Sequence, residues 1–399
     1  MQKRIDGMLL IRSQEVVDII AEGESVTVEF KEDTVRAERL AREVVAFANG
    51  LGGKIILGVS DRGKIVGVTK RNMEEWVMNI CRNNCRPAIV PTSFEQIKVK
   101  GKRIAILTIP RGVDKPYETG NRCYVRVGTT VRQATREERG RLYLASGTFY
   151  YDTFPVAGTS MGDLDPEKIR DYFATYRSLD TSTLGVKLER LLVNTQLMRE
   201  QDGSIVATVA GVLLFGRDAA SVLPQSGITA AKFRGKTMDY DTEDKKEIEG
   251  TLPALVEEAL RFVKRNTKTA SRMRGARRVD KDEYPGESVR EVLVNGLVHR
   301  DYSVTGSRIR LFIYSDRFEL RTPGPLPNTV DLEKIKAGCS YCRNPVLARF
   351  MQNYGYIERF GLGIPVKIIQ RMLEYGSPEP AFEEIAGEFR VILYPVPSG

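Results

Sequence analysis

The sequence predicts an α+β chain, and three observations carry that reading. GESVTVEFKE, residues 23–32, sets Val26, Val28 and Phe30 in alternation with Thr27, Glu29 and Lys31, the period-two pattern of a half-buried strand. AERLAREVVAFAN, residues 37–49, spaces Leu40, Val44 and Phe47 as one helix face, and KIILGV follows it as an apolar strand. Residues 240–399 open on long helical patterns and end on strands. The expected division is 1–145, a linker with a middle α+β segment over 146–239, and a closing block over 240–399.

In the first block the GG at 52–53 ends the helix and lets the chain turn tightly into the next strand. GKIVGV, FEQIKVKGKRIAILTIP and KPYETGNRCYVRVGTTVRQA read as further strands and hairpins. GTFYYDTFPVAGTSMGDLD (147–165) reads as a linker, and Asp165-Pro166 as a helix start. SIVATVAGVLLFG fits a buried strand or a helix, and KRNTKTASRMRGARR (264–278) a charged flexible loop.

Composition narrows the function. An apolar fraction of 42% and a charged fraction of 28% suit a soluble globular protein. No apolar run approaches the roughly 20 residues of a membrane helix, and the start, MQKRIDGMLLIRSQEVV, is too broken by charge for a secretory signal. A cytoplasmic setting is expected. Five cysteines with one histidine fit unpaired thiols better than a zinc site.

The net charge is +9, and between Lys98 and Arg141 twelve basic residues face four acids. So local a field favours a polyanion, with Lys98, Lys100, Lys102, Arg103, Arg122, Arg126 and Arg132 as expected nucleic-acid contacts. A solvated face is the plain alternative.

Glu24, Glu29 and Lys31 surround one strand, and Asp61 ends the strand made by KIILGV. If those strands pair, three carboxylates and a lysine converge, an arrangement that Mg²⁺ or Mn²⁺ would relieve. Such an ion can activate water against a phosphodiester while the lysine offsets charge. Otherwise Glu29 and Lys31 form a surface ion pair and Asp61 a turn.

ESVTVEFKE, then VVAFANGLGGKIILGVSDRGKIVGV, then KPYETGNRCYVRVGTT, resembles the Schlafen AlbA-type domain over some 120 residues. That resemblance implies metal-dependent RNA cleavage by Glu24, Glu29 and Asp61, with Lys31 beside them, and a homodimer that supplies a second lobe. GESVREVLVNGLVHRDY (286–302) is helical, and Glu291 and Asn295 fall four apart on it. With Asp316–Pro327, Arg343–Pro345 and Glu358–Ile364, the region resembles the GHKL-type ATP-binding α/β sandwich. This module follows Schlafen-like domains in predicted transcriptional regulators labelled RecG-like helicase-related.

By that resemblance Glu291 is the base, Asn295 a Mg²⁺ ligand, and Gly324, Gly361 and Gly363 lie along the nucleotide. The adenine-reading aspartate of D-x-G-x-G is missing from Thr322-Pro323-Gly324-Pro325-Leu326. RGKT at 234–237 lacks the upstream glycine of a phosphate loop. Two functions follow: a divalent-metal-dependent endoribonuclease on structured, tRNA-like RNA, or a non-catalytic, ATP-binding, DNA-binding transcriptional regulator.

Overall fold

The computed structural model describes residues 13–147, 149–181, 187–239, 242–274, 277–327, 330–339, 341–357 and 362–397. They are α+β throughout and divide into two compact units, Met1–Phe149 and Tyr150–Gly399.

The first unit runs α1 (Ser13–Glu22), β1 (Val28–Lys31), α2 (Ala37–Asn49), β2 (Gly53–Leu57), α3 (Met73–Asn83), β3 (Ser93–Val99), β4 (Lys102–Ile109), β5 (Glu118–Thr119), β6 (Arg122–Val127), β7 (Thr130–Gln133) and α4 (Arg136–Ala145). Its main sheet has the order β1-β2-β4-β3, with β1 parallel to β2 and the other pairs antiparallel. Strands β5, β6 and β7 form a separate small sheet.

Alternation along the strands feeds two cores. Phe30, Ile56, Ile104 and Ile106 pack with Val16 of α1, while Ile55, Leu57, Ala105 and Leu107 pack with Leu40, Val44 and Phe47 of α2. The sheet is therefore covered on both faces. The strand expected to be half-buried is buried on both sides, because α2 closes the side that Glu29 and Lys31 share.

Asn49 ends α2 and ties it to the small sheet. Its Nδ2 donates to the Tyr117 and Tyr124 carbonyls at 2.8 and 2.9 Å, and its Oδ1 accepts from Tyr117 N at 2.8 Å. Gly52 follows at φ +77°, and a Cβ there would stand 2.7 Å from Arg111 N. Only glycine takes that turn so close to another backbone.

The second unit runs α5 (Pro166–Arg177), α6 (Leu188–Asn194), β8 (Met198–Gln201), β9 (Ser204–Ala207), α7 (Val209–Phe215), α8 (Ala219–Val222), β10 (Ile228–Phe233), β11 (Thr242–Ile248) and α9 (Leu252–Asn266). It continues with β12 (Thr269–Arg274), β13 (Arg277–Asp282), α10 (Gly286–His299), β14 (Ile309–Ile313), β15 (Phe318–Pro323), α11 (Leu332–Lys336), α12 (Pro345–Asn353), a π-helix at Gly363–Gln370, α13 (Arg371–Glu374), β16 (Ala381–Ile385) and β17 (Glu388–Leu393). The six-stranded sheet has the order β11-β10-β14-β15-β17-β16. Side chains from one of its faces, among them Ile228, Leu311 and Leu320, share a core with α9 and α10. On the other face Phe233, Phe312 and Tyr314 cluster under Arg317 and Arg321.

Three local expectations change. Residues 150–165 are packed rather than linking: Leu164 is in the core, and Asp152, fully buried, accepts from Val346 N and Leu347 N at the start of α12. That segment has apolar residues without a period, so it gave no sequence signal. SIVATVAGVLLFG is both strand and helix, divided by Thr208, whose side chain caps Gly211 N at 3.1 Å. The cationic stretch expected as a loop belongs to α9 and to the antiparallel pair β12–β13, joined from Thr269↔Asp282. Residues 146–239 and 240–399, separated in the sequence reading, share one core.

Asn49→Ala is expected to cost about 2–4 kcal/mol, because it strands buried backbone partners as well as losing its own bonds. Urea unfolding measures it, and a midpoint equal to wild type would remove Asn49 from this role.

Candidate nucleic-acid cleft

Strand β1 lies at the edge of the main sheet, with Glu29 opposite Ile55 and Lys31 opposite Leu57. Two buried acids and two buried cations meet behind it. Glu29, Lys31 and Glu43 are 4%, 5% and 7% exposed. Lys31 Nζ is ion-paired with Glu29 and donates to the Phe30 carbonyl at 3.0 Å. It lies 3.8 Å from Glu43 Oε1 and 4.0 Å from Asp61 Oδ1.

Arg126 of β6 completes the set. Its Nη1 stands 2.7 Å from Glu29 Oε2 and 3.5 Å from Glu43 Oε2. Those three atoms are buried without an aligned hydrogen bond, so the contact is one of charge rather than of directed donation. The rest of the guanidinium is well directed: Nε and Nη2 donate to Ser25 O at 3.1 and 2.7 Å, and Nη2 to Val28 O at 3.0 Å. The group lies 4.8 Å over the Phe47 ring. Burial, reinforced by Glu29, pushes the Glu43 carboxyl up to about 7, against the pull of Lys31, Arg126 and Arg39.

The expected acids divide. Glu24 Oε1 accepts from Phe30 N at 3.0 Å, so that oxygen holds the strand edge. Glu29 is internal, whereas the Asp61 side chain is 72% exposed in the turn after β2. All three line one open cleft of about 1340 Å³. Their oxygen chemistry suits Mg²⁺ or Mn²⁺. Yet among the described residues no three acidic, histidine or cysteine side chains are arranged to hold a metal ion. Lys31, with Arg126 buried behind it, supplies the positive charge beside these acids instead, so as arranged the residues do not fit a resident divalent ion.

The basic residues divide too. Lys98, Lys100 and Lys102 are exposed on the β3–β4 hairpin, at the sheet edge opposite β1. Arg103 donates to the Val68 and Lys70 carbonyls, and Arg132 forms a two-pronged pair with Glu138 at 2.8 and 2.6 Å. Arg122 is exposed, and Arg126 is internal. None of these seven lines the cleft.

Its walls carry arginines that the sequence reading passed over, Arg36, Arg39 and Arg42 along α2 and Arg62 beside Asp61, with Glu43 in the floor; Tyr124 of β6 also lines it but is 7% exposed and packs in the core. The signal was present in Arg36-x2-Arg39-x2-Arg42, one helix stripe beside the apolar one.

In the second unit Asn295 Nδ2 donates to Glu291 Oε1 at 3.1 Å, so the expected acid and amide do meet. A Cβ at residue 363 would stand 2.0 Å from that same Oε1, and only glycine leaves the acid its place at the start of the π-helix. Gly324, at φ +106°, sits elsewhere, against Asp301 and Arg343. Gly361 lies outside the described residues.

Comparison with known proteins follows this division. The family model described as Schlafen, AlbA_2 matches residues 24–135. A domain of unknown function matches residues 142–226, and the model described as putative ATP-dependent DNA helicase recG C-terminal matches residues 306–393. No curated protein matches. Among solved structures, the DIP2311 protein from Corynebacterium diphtheriae is 22% identical, over 96% of this chain and 81% of that one, with a TM-score of 0.49. Among the described residues no helix is long and apolar enough to cross a membrane.

A carboxyl that binds its proton more tightly folded than unfolded makes the fold lose stability as pH rises from near 4.5 toward 7. Glu43→Gln is expected to flatten that fall and to gain on wild type above pH 7 by on the order of 1–3 kcal/mol. Urea unfolding at pH 5 and pH 8 checks it; an unaltered pH dependence would mean that Glu43 titrates normally.

Proposed function

For a chain that carries a Schlafen AlbA_2 domain ahead of a RecG-type C-terminal domain, we propose nucleic-acid binding by the first unit, with RNA favoured over DNA. The observation that carries this is the cleft, lined by Lys31, Arg36, Arg39, Arg42 and Arg62 alongside the acids Glu24, Glu29, Glu32, Glu38, Glu43 and Asp61. Cations gathered around a concave surface lower the free energy of a phosphate backbone there. The second unit is proposed to bind ATP, with Glu291 and Asn295 at the magnesium end and Gly363 beside them. Bound nucleotide would supply a triphosphate whose presence favours one state of a homodimer. A cytoplasmic setting goes with this reading and with free thiols at all five cysteines.

Binding is tested by fluorescence anisotropy with labelled transfer RNA over a salt series. The expected result is an affinity that falls steeply and linearly in log salt. Affinity indifferent to salt would remove the phosphate backbone as the ligand.

Divalent-metal-dependent cleavage of structured, tRNA-like RNA is a second reading. One observation favours it: Glu24, Glu29 and Asp61 border the same cleft. Against it stand the ion pairs that now hold Glu29. Incubation with transfer RNA or plasmid DNA, in Mn²⁺ or EDTA, separates the readings. Cleavage in Mn²⁺ that is lost in EDTA and in Glu29→Ala supports the nuclease, and intact substrate after long incubation leaves the regulator that only binds.

A further inference from the structure

Strands β12 and β13 carry four arginines and a lysine that neither the cleft nor the nucleotide reading employs. The two pair with each other alone, as a two-stranded sheet separate from the six-stranded one. Their register sorts the charge. Ala270, Arg272 and Arg274 stand opposite Lys281, Val279 and Arg277, so these six share one face. Thr269, Ser271 and Met273 stand opposite Asp282, Asp280 and Arg278 on the other. Among the described residues of the pair, one face thus has four cations and no acid, while the other has one arginine and two aspartates. The ribbon is tied down at its base. Glu283 N donates to the Lys268 carbonyl at 2.8 Å, Lys281 Nζ to the Tyr375 carbonyl at 2.8 Å, and Tyr375 Oη to the Asp282 carbonyl at 2.9 Å. Lys281 is therefore occupied, and Arg272, Arg274 and Arg277 lie farther along the same face.

From this placement we infer that the β12–β13 ribbon is a second nucleic-acid contact, with Arg272, Arg274 and Arg277 along one phosphate backbone. The inference rests on the nucleic-acid reading above and extends it to the second unit. Packing does not account for the sequence. A two-stranded ribbon alone is marginally stable in water, and the apolar residues of this one are Ala270, Met273 and Val279. Arg274 directly opposite Arg277 weakens it further, since like charges across a pair repel. A polyanion turns that repulsion into binding. Arg272 and Arg274 are two residues apart, about 6.8 Å along a strand, or two steps of the ~3.4 Å per-strand phosphate spacing. Guanidinium groups also grip phosphate oxygens in pairs, which an ammonium does not. An anionic membrane is the weaker candidate, because the cationic face lacks the tryptophan, phenylalanine or leucine that enters a lipid interface.

The full chain and its variant Arg272→Ala/Arg274→Ala/Arg277→Ala are titrated with a short labelled DNA duplex and with labelled transfer RNA over a salt series. The log affinity–log salt slope of the variant is expected to be shallower by about 2–3 on at least one probe, at ~0.9 for each phosphate contact on a duplex and ~0.7 on a single strand. Lysine at the same three positions should keep most of the slope, since the charge is retained. Arg277→Ala alone should lose ~0.7–0.9, whereas Arg278→Ala, its neighbour on the other face, should keep the wild-type slope. Wild-type slopes in the triple alanine variant on both probes, whether or not it loses binding to phosphatidylserine vesicles, overturn the inference while the nucleic-acid reading of the first unit stands. So does an equal loss in Arg277→Ala and Arg278→Ala, or a loss that the lysine variant shares in full. Failure of wild type to bind either probe overturns both.

Discussion

Two carboxylates and two cations buried behind an edge strand set the terms for the first unit. Charges taken from water cost several kcal/mol each unless closely paired, so Glu29 and Glu43 tolerate burial only with Lys31 and Arg126 beside them. The pairing is also architectural. Arg126 belongs to the small sheet, yet its guanidinium donates to the Ser25 and Val28 carbonyls. It thereby occupies acceptors beside a strand edge that would otherwise be open to another chain. Docking of the hairpin, protection of the edge and the floor of the cleft are one interaction seen from three sides.

Local pattern made part of this legible. Period two marked β1, an apolar run marked β2, helical spacing marked α2, and the runs of strands gave the α+β class. What pattern could not give was the partner of each charge. Lys31 meets Glu43 from the next helix, and Glu29 meets Arg126 from a hairpin far along the chain. No periodicity encodes such contacts, so Arg126 read as a surface cation and Glu43 as an unremarked helix residue. Residues 150–165 escaped for a related reason: irregular backbone buries Leu164 and Asp152 through tertiary contacts alone.

The second unit shows the opposite balance. Glu291 and Asn295 were visible as an i,i+4 pair, and one hydrogen bond joins them. Helical geometry fixes that spacing whatever the surroundings. The π-helix that begins at Gly363 was not visible, because an i→i+5 turn leaves no mark in an apolar pattern. Its position is nonetheless enforced, since the Glu291 carboxylate fills the space that any side chain at 363 would need.

A charge count therefore says less about binding than the fate of each charge. The surplus between Lys98 and Arg141 pointed to a polyanion, yet much of it is committed within the fold. Arg103 holds a loop, Arg126 holds β1, Arg132 pairs with Glu138 and Arg139 with Glu118. Arg36, Arg39 and Arg42 sit outside that surplus, next to Glu32, Glu38 and Glu43, so a window average over α2 is close to neutral. The helix separates what the average merges. Three-residue steps carry the arginines along one stripe and Glu43 turns inward to the buried set, while Glu32 and Glu38 stay in the cleft with the arginines. A cation without an acid partner keeps its full field for a ligand, whereas one already paired must break a contact to serve. By that criterion the exposed arginines along α2 count for binding alongside the exposed lysines of the β3–β4 hairpin.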